Sequence, residues 1–234
     1  MAKSVLTIDS RNRINQSLPN SCQFLMQDAV LASKFELTNF QYANQLYNVT
    51  TGSNVLSISG VVAATSNPEF WTATAYVTDL NTQLQTHFAT GSTVVSLNTS
   101  TNQLTWTLPS GSVDPLNLST MNRVLGLLGG ETGSFTSTLF LVGPLQLAIN
   151  SQQLNTYSYN SFPSTARICG VIPVNVGYLE VGYFEPFRDW ELRFEPRINF
   201  NLLNITITDN RTGLLAQGMG EWSAVFVISE NSVI

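Results

Sequence analysis

The residues able to do chemistry in this chain gather in one stretch. Glu180, Glu185, Arg188, Asp189, Glu191, Arg193, Glu195 and Arg197 stand close together, interleaved with Tyr178, Tyr183, Phe184, Phe187, Trp190 and Phe194. Carboxylates bind sugar hydroxyls and aromatic rings stack on sugar faces. Tyr183, Phe187, Arg188 and Trp190 therefore form a candidate interface or glycan patch, and paired carboxylates would in principle admit glycoside hydrolysis. Charges of both signs mix here and neutralise one another. That favours a strand-edge charge network with alternating core aromatics over a sugar site, and more so over a hydrolase.

The remaining chemistry is sparse. His87 is the single histidine; a nucleophile-activating base needs a carboxylate to hold it, and local sequence supplies none. One histidine cannot build a His-based metal site. Gly126-Leu127-Leu128-Gly129-Gly130 lacks both the Lys-Ser/Thr of a phosphate loop and GxGxxG spacing. Asp209-Asn210 lacks the ligand periodicity of a calcium loop and reads as a turn. Cys22 and Cys169 belong to no metal or redox spacing and read as free thiols. The expectation is no enzyme, no metal and no cofactor.

Composition narrows the partners. Charged residues are 11% of the chain, against about 25% in an average soluble domain. Asn, Ser, Thr and Gln take their place, so the surface is neutral and polar. Such a surface suits close contact with other subunits, because buried charge must be paired. With Lys and Arg at 10 together and a net charge of −5, no basic face can neutralise many phosphates, so direct nucleic-acid binding is not expected. No apolar run is long enough to span a bilayer and no secretion signal is expected.

The elements that must position these residues are mostly strands. Lys34–Val49 reads as a long strand or bent pair, Asn54–Ala63 as a partly buried strand, and Thr93–Asn98 with Gln103–Leu108 as a hairpin. Pro68 or Thr72 can open a helix in which Val77, Leu80, Leu84 and Phe88 form one stripe, with Gly91 as its stop. Phe140–Ser151 and Arg167–Val181 are strand-like, with Pro173 marking an edge or bulge. Leu202–Thr208 and Glu221–Ser229 read as a closing hairpin, and Val225–Ile228 as covered on both faces. The fold class expected is all-β: a single jelly-roll sandwich of about eight to ten antiparallel strands, with one inserted amphipathic helix. Residues 1–33 read as an extended amino-terminal docking arm and 34–234 as one jelly-roll domain.

Within that arm, Val5-Leu6-Thr7-Ile8-Asp9-Ser10-Arg11-Asn12-Arg13 alternates and then ends in a charged cluster. Being half apolar, it needs a partner. Val5, Ile8, Asp9, Arg11 and Arg13 are the candidate contact residues, with Ile8 in an apolar groove and the charged groups making charge-assisted bonds.

Ile8–Arg13 resembles the "IDSRxR" arm near the amino termini of single-jelly-roll penton (vertex) capsid proteins of large icosahedral DNA viruses, virophages and related elements. Trp71-Thr72 followed by the Val77–Phe88 stripe is similar to that family's aromatic-Thr and helix unit. Leu127-Leu128-Gly129-Gly130 is similar to its "LLGF" segment, with Gly130 in place of the aromatic. The turn Asp209–Gly213 and the strand after Gly220-Glu221-Trp222 resemble its closing elements. The resemblance implies a virion structural protein made in the host cytoplasm. It would form a pentamer at fivefold vertices, its arm anchored to major and other minor capsid proteins, with no membrane insertion. The alternatives are a receptor- or glycan-binding β-sandwich and another single-jelly-roll minor capsid protein.

Overall fold

The computed structural model describes residues 2–14, 18–151, 153, 167–186, 190–210 and 213–230. Every strand pairing among them is antiparallel, in the all-β class that the sequence predicts. The chain divides into two compact units, Met1–Leu46 with Pro144–Ile234, and Tyr47–Gly143. The boundary expected between residues 33 and 34 falls inside a strand, and the stretch expected to belong to one domain contains a second unit with its own core.

The first unit is built on β1 (Ala2–Asp9) and a very long β2 (Ser21–Ala43). In the numbering of the whole chain, its later strands are β8 (Gln146–Ser151), β9 (Arg167–Pro173), β10 (Val181–Phe184), β11 (Trp190–Asp209) and β12 (Trp222–Glu230). They form one sheet in the order β1-β12-β2-β11-β8-β9, with β10 also on β2. The chain's beginning thus pairs with its end, as jelly-roll winding requires. β2 occupies the centre because alternate residues Phe35, Leu37, then Phe40 and Tyr42, are fully buried. Phe35 lies 4.6 Å from Phe226 and Phe40 stacks on Trp222 at 5.5 Å between ring centroids. Each such side chain contributes about 1.5–3 kcal/mol over its exposed state.

Three expectations change here. The closing pair Leu202–Thr208 and Glu221–Ser229 is not a hairpin, because β2 sits between β11 and β12. The connection from Asn210 to Glu221 exceeds the roughly two to five residues of a hairpin loop, and each strand pairs with β2 instead of with the other. Residues 2–9 are not an arm reaching away. They pair with β12 along their whole length, from Ala2 opposite Glu230 to Asp9 opposite Ser223. The half-apolar alternation finds its partner within the chain. On β12, Ala224, Phe226 and Ile228 are buried while Val225 and Val227 are half-buried, so its second face is only partly covered.

The second unit contains β3 (Val55–Ile58), β4 (Val61–Thr65), α1 (Ala73–His87), β5 (Val95–Asn98), β6 (Gln103–Thr107), α2 (Asn122–Leu125) and β7 (Ser134–Thr138). The run read as one strand over Asn54–Ala63 is a hairpin. Ser59 and Gly60 both have positive φ, 51° and 79°, the tight turn whose twist matches paired strands. Thr72 caps α1 by accepting from the Ala75 N–H. Val77, Leu80 and Leu84 are buried as their spacing predicts, and Tyr76 joins them. The helix ends at His87, before Gly91, where Ala89 takes a left-handed φ of 49°. β5 and β6 pair as the expected hairpin, and β7 adds a third strand by stacking Phe135 on the buried Trp106.

Candidate functional site

The amino-terminal motif closes a corner of the first unit. Ile8 is 3% exposed and belongs to the core. Asp9 accepts from the Arg11 backbone N–H at 2.9 Å and caps a 3-10 turn over Ser10–Asn12. Arg11 Nε also donates to the two Asp9 oxygens at 2.9 and 3.1 Å. Ser10 is buried; its hydroxyl donates to the Glu221 carboxylate and accepts from the Trp222 N–H at 2.8 Å. Arg13 Nη1 donates to the Ser10 carbonyl at 2.6 Å and to Glu221 at 2.9 and 3.0 Å. Glu221 thus gathers a serine and an arginine from the opposite end of the chain, and such charge-assisted bonds are stronger than neutral ones.

The guanidinium of Arg11 beside Asp9 holds the Asp9 carboxyl below its ordinary value of 3.8. A depressed folded-state value means the pair stabilises the corner above the unfolded-state value, and that this is lost as pH falls below about 3.8 through the folded one. The effect is small, because the Arg11 side chain is 73% exposed and screened. A carbon-detected titration of Asp9 should move upward in Arg11→Gln; an unmoved midpoint would refute the pairing.

Below this corner, Cys22 is buried and free, its thiol 3.2 Å from the Pro19 carbonyl. Burial pushes it up to about 11, so at neutral pH it is a protonated thiol and a poor nucleophile. Native protein should leave Cys22 unlabelled by a thiol reagent, and denatured protein should label it fully, as peptide mapping would show.

The corner continues into a face. Tyr183 of β10 lies opposite Gln41 of β2, Gln41 opposite Ser223 of β12, and Ser223 opposite Asp9 of β1. Directly opposed residues point to the same side, so these four form one outward row. At about 4.7–4.9 Å per strand it is roughly 14–15 Å long. The adjacent inward row is Phe184, Phe40, Ala224 and Ile8. Gly182 makes this approach possible, since a Cβ there would stand 2.4 Å from the Tyr42 ring. A cleft of about 220 Å³ opens beside the row, lined by Arg11, Gln41, Val181 and Glu221 among others.

The structure therefore brings together residues that the sequence placed in two separate groups. Tyr183, 53% exposed, shares a face with Asp9 and Arg11, and Val5 is 69% exposed on the same side of β1. Ile8 and Arg13 are turned to the chain's own core and corner. Phe187 and Arg188 lie outside the described residues. Trp190 opens β11 opposite Leu37, with its backbone alone described. Sequence reasoning missed Ser10, Glu221 and Val181. Val181-Gly182-Tyr183 alternates with a glycine inside, which signals a close approach; nothing in the sequence ties Ser10 to Glu221. Among the described residues no group of three His, Cys, Asp or Glu side chains could hold a metal ion, and no helix is long and apolar enough to cross a membrane. What the face offers is an exposed ion pair, an exposed phenol and neutral polar groups, which is contact chemistry.

No protein-family model and no curated protein sequence matches the chain. Among solved structures it is similar to the penton protein of mavirus, at 11% identity and a TM-score of 0.48 over 97% of this chain and 98% of that one. It is also similar to a chain of the Sputnik virophage, at 12% identity and a TM-score of 0.39 over the same shares.

Proposed function

We propose that this chain is a structural capsid protein, a penton-like subunit whose copies close a pentameric ring at icosahedral vertices. The observation that carries the reading is the interlock of two motifs that the sequence resemblance singles out at opposite ends of the chain. Ser10 and Arg13 of the amino-terminal motif clasp Glu221 and Trp222 of the closing one. A motif read as an arm is thereby a corner brace, which frees Val5, Asp9, Arg11 and Tyr183 as the residues facing neighbouring major and minor capsid proteins. A chain with only 11% charged residues supports the same reading, because its surface can be covered by other subunits at little desolvation cost. The native mass of the full-length protein, taken across concentration and salt, tests it. A five-copy species is expected; a monomer under every condition would count against ring closure by this chain.

A further inference from the structure

Two edges of the first unit's sheet, at β1 and at β10, have no strand beside them among the described residues. β1 pairs with β12 alone and β10 with β2 alone. Along an antiparallel strand the backbone groups of successive residues point alternately to its two sides. The Asn44 N–H donates to the Glu180 carbonyl at 2.8 Å, across the β2–β10 pair. Glu180 and Gly182 therefore turn their backbone groups to β2, and Val181 and Tyr183 turn theirs to the open edge. On the other side of β2, the Ala43 N–H donates to the Glu221 carbonyl at 3.0 Å. Glu221 and Ser223 thus face β2, while Trp222 and Ala224 face β1. The Trp222 N–H accordingly reaches the Ser10 hydroxyl at 2.8 Å. Ala224 lies opposite Ile8. Leu6 and Ile8 therefore point their backbone groups at β12, and Lys3, Val5 and Thr7 point theirs at the second open edge.

The two edges fit each other. β1 and β2 run the same way, both antiparallel to β12, and β10 runs against β2. A second copy set beside the first, same face outward, brings its β10 antiparallel to β1. Odd-numbered residues must then meet odd-numbered ones. A one-residue slip turns the hydrogen-bonding groups away and flips every side chain to the other face. One of the remaining registers sets Val5 opposite Tyr183, Thr7 opposite Val181 and Lys3 opposite Glu185, and all six side chains are exposed. Glu185 follows the last residue of β10, and Pro186 favours an extended backbone there, so the row continues to it. Val5 with Tyr183 joins a β-branched to an aromatic side chain, and Lys3 with Glu185 joins opposite charges, both favourable across strands. A shift of two residues sets Lys3 against Tyr183 in one direction and Val5 against Glu185 in the other. A lysine on an edge strand ordinarily blocks pairing. Here it selects the edge that carries a glutamate at the matching position.

We infer that β1 of one copy pairs with β10 of the next, so that the sheet runs on from subunit to subunit. A contact between two different edges of the same chain is head-to-tail and can close a ring, so this inference rests on the ring proposed above and names its joint. The test uses full-length protein in sedimentation velocity. Lys3→Glu and Glu185→Lys should each weaken self-association at least tenfold. The chain carrying both changes should recover it, because the pair returns with its signs exchanged. Val5→Pro removes an N–H that faces the open edge and none that bonds to β12. It should keep the wild-type melting transition and lose self-association. A mixture of Val5→Cys and Tyr183→Cys chains should form a disulfide between copies, since opposed Cα atoms about 5.5 Å apart lie within disulfide reach. Neither chain alone should exceed the wild-type background. Wild-type association in both single charge variants, a double variant no stronger than the singles, or Val5→Cys chains that link to themselves would overturn the joint, and a five-copy wild-type mass would leave the ring standing. A wild-type protein that stays monomeric at every concentration would overturn the ring and the joint together.

Discussion

A chain that begins at Ile14 is expected to lose the cooperative transition of its first unit, with a drop of about 10 °C or more in melting temperature. Three losses combine. Ile8 leaves the core; a buried Ile→Ala change costs about 2–5 kcal/mol. β12 loses the strand that covers its edge from Ser223 to Glu230. Glu221 loses Arg13 and Ser10, and the Trp222 N–H loses its acceptor. The sum belongs with the exceptional changes, above about 4 kcal/mol. Point variants separate bracing from docking. Ile8→Ala should reproduce much of the loss, whereas Arg11→Ala should leave the transition in place and, on the capsid reading proposed above, reduce incorporation into particles. If the shortened chain melts with the full-length one, the strand contributes nothing and residues 1–13 are free to act as a docking arm.

That contrast shows what the sequence carried. The alternation in Val5–Asp9 marked a half-apolar segment in need of a partner, but it holds no address, and it grouped the buried Ile8 with the exposed Val5 as contact residues. Whether the partner is β12 or another molecule depends on which edge lies nearby in the fold. The same limit explains the closing strands. Leu202–Thr208 and Glu221–Ser229 were each legible from apolar alternation, but β2 inserts between them through contacts distant in sequence. Elements whose signals are local came through well. Thr72 as a cap, the Val77–Leu84 stripe and the β5–β6 turn all rest on spacings of a few residues.

The candidate site was legible in parts. The exposure of Tyr183 and of the Asp9–Arg11 pair follows from residue type, but their sharing of one outward row depends on the register of four strands. Glu221 was invisible as a partner because the acceptor for Ser10 and Arg13 lies 211 and 208 positions away. A lone glutamate before a tryptophan carries no mark of that duty. The glycines were informative in a different way. Gly126-Leu127-Leu128-Gly129-Gly130 has no phosphate-loop pattern, and its glycines instead permit close approach and left-handed backbone.

Gly126→Ala should therefore be the most damaging single change in the second unit, above about 4 kcal/mol. Gly126 ends α2 in the left-handed region, at φ 64° and ψ 37°. An alanine there costs about 1–2 kcal/mol for conformation alone. Its Cβ would also stand 2.4 Å from the Thr138 carbonyl oxygen and 3.1 Å from the Thr138 nitrogen, both backbone atoms. The backbone at Thr138 has little freedom to retreat. It closes β7 opposite Gln103, and the two residues after it are tied by Leu139 N–H to the Asn102 carbonyl at 2.9 Å and Phe140 N–H to the Val124 carbonyl at 2.7 Å. Relief would have to pull β7 off β6 and disturb the stacking of Phe135 on Trp106. Gly130→Ala is the control. Gly130 also has positive φ, 96°, but nothing lies within 4 Å of its missing Cβ, so it should show the conformational cost without the collision. Urea unfolding of both full-length variants, with hydrogen exchange read at the β6 and β7 amides, distinguishes the two effects. Equal losses in the two variants would mean that left-handed strain alone governs the loop. A larger loss at Gly126, with exchange rising in β6 and β7, would show that the loop after α2 is held by the packing of Gly126 against the end of the three-stranded sheet.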